Sequence, residues 1–173
     1  MDTTEYSEST HSDHKHQSFA RAQWISLIAR SKTALLEKAL SPYLNLKVTI
    51  LKPFETVTFM AQARTGSTGE RFNVGEVSIG RMALYADVVQ PDFETLRFMG
   101  VAYIKGASER QVYLGAFADA LLQDKNLYDN LELSLLKPTH QSLQIELDRV
   151  NRQVQSTKVE FFTIARQNSS SVS

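Results

Sequence analysis

The hydrophobic period changes twice along this chain, from helical spacing to strand alternation and back, and that order restricts the fold more than any other feature. Beginning at Phe19, apolar residues recur at helical intervals: Trp24, Ile25, Leu27 and Ile28, then, after a polar break at Arg30 to Lys32, Leu35, Leu36, Ala39 and Leu40. This predicts two short helices, the second stopped at Ser41-Pro42, because proline lacks the amide donor and disfavours helix in the residue before it. The stretches LNLKVTIL and ETVTFMAQAR, separated by Lys52-Pro53-Phe54, are rich in β-branched and aromatic residues and read as two strands. A third strand runs from about Gly75 to Val89. Its apolar residues change parity at Gly80-Arg81, which predicts a bulge or bend. After Pro91-Asp92, Thr95 to Ile104 reads as a fourth strand pairing back on the third.

Helical periodicity returns at Ser108, through Val112, Leu114, Phe117, Ala118, Leu121 and Leu122, and a short apolar helix or turn is expected around Leu127 to Leu136. Pro138 marks a new start. From there Leu143, Leu147, Val150, Val154, Phe161 and Ala165 recur at helical intervals, with Thr157 or Lys158 filling the gap. Such a helix would be roughly 40 Å long at about 1.5 Å per residue, more than a compact domain of this size needs. Strands followed by helices predict an α+β class: a mostly antiparallel sheet of about four strands, with N-terminal helices and a long C-terminal helix.

The chain has 173 residues, 42% of them hydrophobic, enough for one domain with its own core, predicted over 18–167. Polar tails are expected at 1–17 and 168–173. No basic start with an apolar run opens the sequence, and no apolar stretch is long enough to span a bilayer, so the expectation is a cytoplasmic protein without a membrane partner. Basic and acidic residues balance at 19 each, which leaves no net field to attract nucleic acid. The absence of cysteine excludes disulfides, thiolate nucleophiles, cysteine-ligated zinc and iron–sulfur clusters.

Between the second and third predicted strands lies ARTGSTGERFNVGEVSIGR, Ala63 to Arg81, holding Gly66, Gly69, Gly75 and Gly80 out of a total of 7 glycines. Arg64, Glu70, Arg71, Glu76 and Arg81 are interleaved with them. Tightly turned backbone beside guanidinium groups suits an anionic ligand; a surface connector whose charges pair with one another fits the same residues. A P-loop is excluded, because Glu70 follows Gly69 where lysine and a hydroxyl residue are needed. Gly66-Ser67-Thr68-Gly69 matches the GxxG clamp of KH modules, but that clamp joins helices in basic domains.

Catalytic sets are scarce. Outside the N-terminal tail the one histidine is His140, read as a surface residue capping its own helix, so Ser-His-Asp or Cys-His arrangements have nothing to draw on. His11, His14 and His16 lie in the polar tail, and no metal site is assigned to them. Glu70 and Glu76 are near enough in sequence to share a site, without a fixed separation.

Several blocks together resemble the PhnG family, the G subunit of the carbon–phosphorus lyase core complex. They are the helix RAQWISLIAR, the loop ARTGSTGERFNVGE, GVAYIKG leading into GAFADALLQ, and the terminal VEFFTIAR, in order across residues 19 to 166. The resemblance implies a multi-subunit transferase, the synthase of α-D-ribose 1-methylphosphonate 5-triphosphate. In it the G, H and I proteins, with the L protein, displace adenine from MgATP and attach a phosphonate at ribose C1, while the J subunit performs the later cleavage. It further implies that this chain binds no cofactor and has no activity alone, MgATP being a substrate of the complex. No catalytic residue is carried over. Arg64, Gly66, Gly69, Glu70, Arg71, Gly75, Glu76 and Arg81 are the candidate surface for docking on the I subunit and confining anionic substrates. Phe161, Phe162 and Arg166 are a candidate partner contact, since two adjacent aromatics cannot both face one helix stripe. The chain departs from the pattern of the resemblance at Gln111-Val112-Tyr113, where many relatives carry His-Ala-Glu. Two rival functions fit the residues: a stand-alone phosphate- or phosphonate-binding module, and an independent carboxylate hydrolase.

Overall fold

The structure is a computed structural model that describes residues 19–66 and 68–169, with side chains as far as Gln155. The expected N-terminal tail, with His11, His14 and His16, lies outside the described residues, as do the side chains of Phe161, Phe162 and Arg166. The elements run α1 (Arg21–Arg30), α2 (Thr33–Leu40), a 3-10 turn (Ser41–Tyr43), β1 (Lys47–Arg64), β2 (Arg71–Val89), β3 (Thr95–Lys105), α3 (Glu109–Leu121), α4 (Lys125–Leu131), a π-helical turn (Glu132–Leu136) and α5 (Lys137–Ser169). The class is α+β, with an antiparallel sheet ordered β1-β2-β3. No helix among the described residues is long and apolar enough to cross a membrane.

Three strands stand where about four were predicted, because the first two are one. Pro53 does not end β1. The register slips between Lys52 and Glu55, so Pro53 sits in a bulge on an edge strand, where no ladder hydrogen bond needs its missing donor. The bend predicted at Gly80-Arg81 is also absent from the β2–β3 pairing, which runs without a slip from Ile79↔Lys105 to Val89↔Thr95. The parity change has another meaning: β2 is apolar on both faces.

The inner face, carrying Gly80, Met82, Leu84, Ala86 and Val88, is covered by α3, which is buried from Leu114 through Leu121. A helix apolar all round needs cover all round. The sheet supplies one side, and α1 and α2 supply the rest through Trp24, Leu27, Ile28, Leu36 and Leu40. Leu131, Leu135 and Leu136 close the core from the α4 side. The π turn accommodates Pro138 in the first turn of α5, where its ring excludes a normal bond to the carbonyl four residues earlier.

Within this apolar packing Asp119 is fully buried. Its carboxylate accepts from Arg21 Nε (3.2 Å) and Nη2 (2.8 Å), Trp24 Nε1 (2.9 Å) and the Val101 backbone N–H (3.0 Å), tying α1, α3 and β3 together. Removing the acceptor strands the buried Trp24 donor and the part-buried Val101 N–H, at about 1–3 kcal/mol each. Asp119→Ala is therefore expected to lower unfolding stability by about 3 kcal/mol, read as a fall in the urea midpoint at unchanged m-value.

Candidate functional site

Among the described residues, no helix covers the outer face of the sheet. Register places Val57, Phe59, Val77, Ile79, Ala83, Tyr85, Met99, Val101 and Tyr103 on that one face, since directly paired residues of antiparallel strands point the same way. Phe59 is 55% exposed, Met99 42% and Tyr103 59%. An apolar surface of this extent on a sheet is the mark of a face that another layer covers. Two ion pairs lie on the same face, Arg81–Glu55 in its middle, between Ile79 and Ala83, and Arg97–Asp87 beyond Tyr85 and Met99. Arg81 donates to Glu55 from Nε (2.9 Å) and Nη2 (2.7 Å), and Arg97 donates to Asp87 from Nε (2.6 Å) and Nη2 (3.1 Å) while lying 5.8 Å from the Tyr85 ring centre.

The hydrogen bonds from Arg97, against a partial offset from burial, hold the Asp87 carboxyl below the usual aspartate range. A depressed folded value makes this contact stabilising above the ordinary 3.8 and lost as pH falls through the folded value. Arg97→Ala is thus expected to melt below wild type at pH 7, with the difference closing as the solution is acidified below 3.8.

Beyond the end of β3 the β1–β2 hairpin continues alone. Residues 58–64 and 71–78 form a two-stranded arm projecting about 26 Å at roughly 3.3 Å per residue. A slip between Ala61 and Gln62 leaves Val74 as an extra residue on β2, so Phe72 joins the outer apolar face while Arg71 and Asn73 turn to the inner one. The arm is therefore amphipathic, with Phe72, Phe59 and Val77 on one side and Arg64, Arg71, Gln62, Asn73, Thr58 and Glu76 on the other, where Met60, paired with Glu76, is the apolar exception. Isolated two-stranded ribbons are marginal in water, so an arm of this length is suited to being held by something.

The segment Ala63 to Arg81, read as a loop, is mostly strand; only the turn between Arg64 and Arg71 is irregular. Gly66 takes φ 68° there, a left-handed value that favours glycine. Arg64, Gly66, Gly69, Glu70 and Arg71 gather at the arm tip. Gly75 and Glu76 lie partway down on opposite faces, and Arg81 is about 33 Å from Arg71 along the strand, engaged with Glu55. The candidate residues are not one pocket. At the tip Arg64 and Arg71 pair directly across the strands, and neither has a carboxylate partner among the described residues. Like charges set opposite repel, which an anion between them would relieve.

His140 is exposed, its ring 5.9 Å from Phe19, and it makes no capping hydrogen bond. Gln111 donates to the Ser31 carbonyl (3.2 Å), Val112 is buried and Tyr113 stacks on Phe117, so all three residues serve the fold. The outer-face aromatics Phe59, Tyr85 and Tyr103 escaped the sequence reading. Their signal was the double apolar parity of β2, which marks a strand meant for burial on both sides. A family model described as phosphonate metabolism protein PhnG matches residues 19–167.

Proposed function

From the membership of this chain in the PhnG family of phosphonate metabolism proteins, we propose that it is the G subunit of a carbon–phosphorus lyase core complex. It acts beside the H, I and J subunits and, with the L protein, in the synthase step: adenine leaves ribose C1 of MgATP and a phosphonate oxygen takes its place. The observation that carries this reading is the largely apolar face running from Phe72 at the arm tip to Met99 in the body, roughly 43 Å of sheet with no described element of this chain above it. Aromatic residues, Met and Arg on this face match the residue types enriched at interfaces. The chain contributes surface, and the chemistry belongs to its companions; no cofactor is held by this chain alone.

The arm tip reaches away from the body with Arg64 and Arg71 on one side and apolar residues on the other. It docks on the I subunit through the apolar side and presents the two guanidinium groups to phosphoryl oxygens of the substrate. Co-expression with the H, I and J proteins, followed by adenine release from MgATP and methylphosphonate with the L protein present, tests the reading. Release should require this chain. Unchanged release in its absence, or release by this chain alone, overturns the reading. Arg71→Ala is expected to abolish assembly or adenine release; wild-type levels of both would remove the tip from the account.

The Arg64–Arg71 couple, without a carboxylate partner among the described residues, also favours a second reading, a stand-alone module for phosphate or phosphonate. Titration calorimetry of the purified chain with methylphosphonate separates the two: tight binding by a well-behaved monomer supports the module.

A further inference from the structure

The turn joining β2 to β3 reads Gln90-Pro91-Asp92-Phe93-Glu94. The Phe93 amide donates to the Gln90 carbonyl (2.9 Å) and the Gln90 amide to the Glu94 carbonyl (2.7 Å), the pattern of a type I turn followed by a left-handed residue in a three-residue hairpin loop. Proline suits the second place of such a turn and glycine the fourth. Here phenylalanine holds the glycine place. Its φ is 67°, the one positive value on a residue other than glycine among the described residues. A side chain there carries a steric penalty that glycine avoids and asparagine tolerates, and for a bulky residue the conformation is an outlier. The core gains nothing in return, because Phe93 is 89% exposed.

We propose that Phe93 is an anchor that enters an apolar pocket, rimmed by Lys or Arg, on a partner subunit. The proposal rests on the subunit reading above and adds a contact at the end of the sheet opposite the arm. A single exposed aromatic is ordinary on a protein surface. This one is held in a strained backbone, and strain that the fold does not need is kept where a contact uses it. It is also flanked by Asp92 and Glu94, neither of which has an ion-pair partner among the described residues; Asp92 accepts the Glu94 amide alone (3.3 Å). A basic rim around the pocket compensates both carboxylates. The base of the turn is fixed before any partner arrives. Gln90 donates through its side chain to Asp124 and accepts from Asn126 Nδ2 (2.6 Å), while Asp124 Oδ1 accepts the amides of Asn126 (2.7 Å) and Leu127 (3.2 Å) at the start of α4. A loop ordered in advance gives up little freedom on docking. The same charges select a different protein over a second copy of this one. A twofold contact through this turn would set Asp92 and Glu94 against their own counterparts with no cation between them, and a head-to-tail contact that does not close would run on as a filament.

The assembly co-expressed with the partner subunits carries the test. With p-benzoylphenylalanine in place of Phe93 an aromatic ring stays at the tip, and irradiation is expected to give one adduct, on an apolar residue of a different subunit with Lys or Arg beside it. Phe93→Asn removes the ring and suits the left-handed backbone. Its incorporation against an equal amount of differently tagged wild-type chain should fall at least about tenfold, while the isolated chain melts about 2–4 °C above wild type. Glu94→Lys changes a side chain with no bond among the described residues and should lower incorporation about threefold or more at unchanged melting temperature. An adduct on a second copy, on this chain itself or on no protein overturns the proposal. So does undiminished incorporation of Glu94→Lys, or a Phe93→Asn protein that melts below wild type, since the ring would then serve the fold. Failure of the wild-type chain to assemble at all sinks the subunit reading and the proposal with it; assembly that accepts Phe93→Asn as readily as wild type sinks the anchor alone.

Discussion

Gly100→Ala is expected to cost about 3 kcal/mol or more, and Gly100→Val to prevent folding at 37 °C. Gly100 is on the inner face of β3, where α3 crosses with Ala116 and Ala120 one turn apart. A Cβ at this position would fall inside the Ala116 carbonyl oxygen and 2.7 Å from the Ala120 nitrogen. Both obstacles are backbone, so no rotamer change relieves them and the whole helix must move off the sheet. Overpacking ordinarily costs about 1–3 kcal/mol. Displacing α3 costs more, because it is the element every other layer touches, and a domain of this size has about 5–15 kcal/mol in hand. Gly115→Ala is the matched control. Its added Cβ would lie 3.0 Å from the flexible Ile104 Cδ1, and the helix gains about 1 kcal/mol in propensity, so its melting temperature should stay near wild type. Equal melting temperatures for the Gly100→Ala and Gly115→Ala proteins would show that β3 and α3 do not meet as closely as described.

How much of this was legible in the sequence varies by element. The α+β class, the N-terminal helix pair and the long final helix follow from apolar periodicity, which is local and strong. Pro53 was read as a break because the rule about proline in strands depends on whether the strand is at an edge, and a sequence does not reveal edge positions before the pairing is known. The parity change in GEVSIGRMALYADVV looked like a bulge for a related reason: alternation implies one buried face, and β2 has two apolar faces. Asp119 gave only the oddity of a carboxylate inside GAFADALL; its partners Arg21, Trp24 and Val101 come from other elements. At the candidate site, the dense glycine and charge did locate the arm tip. Sequence proximity nonetheless grouped Arg81 with it, because a strand carries residues about 3.3 Å further apart at each step while a loop can fold them together.

Phe59→Asp combined with Tyr103→Asp is expected to eliminate co-purification with partner subunits and reduce adenine release by the reconstituted assembly about 100-fold or more. Central interface aromatics each account for about 2–4 kcal/mol on truncation, and a carboxylate in their place adds the cost of desolvating a charge against an apolar partner. The same change should barely alter the isolated chain. Both side chains are more than half exposed, so the loss is confined to β propensity, about 1 kcal/mol or less in total. This opposition, near-native melting with abolished assembly, is what separates a docking face from a core. A face that only finishes the fold of this chain would behave in reverse, losing stability in the isolated protein. A face with neither role would leave both measurements at wild type. Inner-face Leu84, fully buried one residue from Tyr85 on the same strand, supplies the comparison: Leu84→Ala is expected to cost about 2–5 kcal/mol in the isolated chain. Adjacent residues of β2 would then report on two different layers, one made of this chain's own helices and one supplied by another molecule.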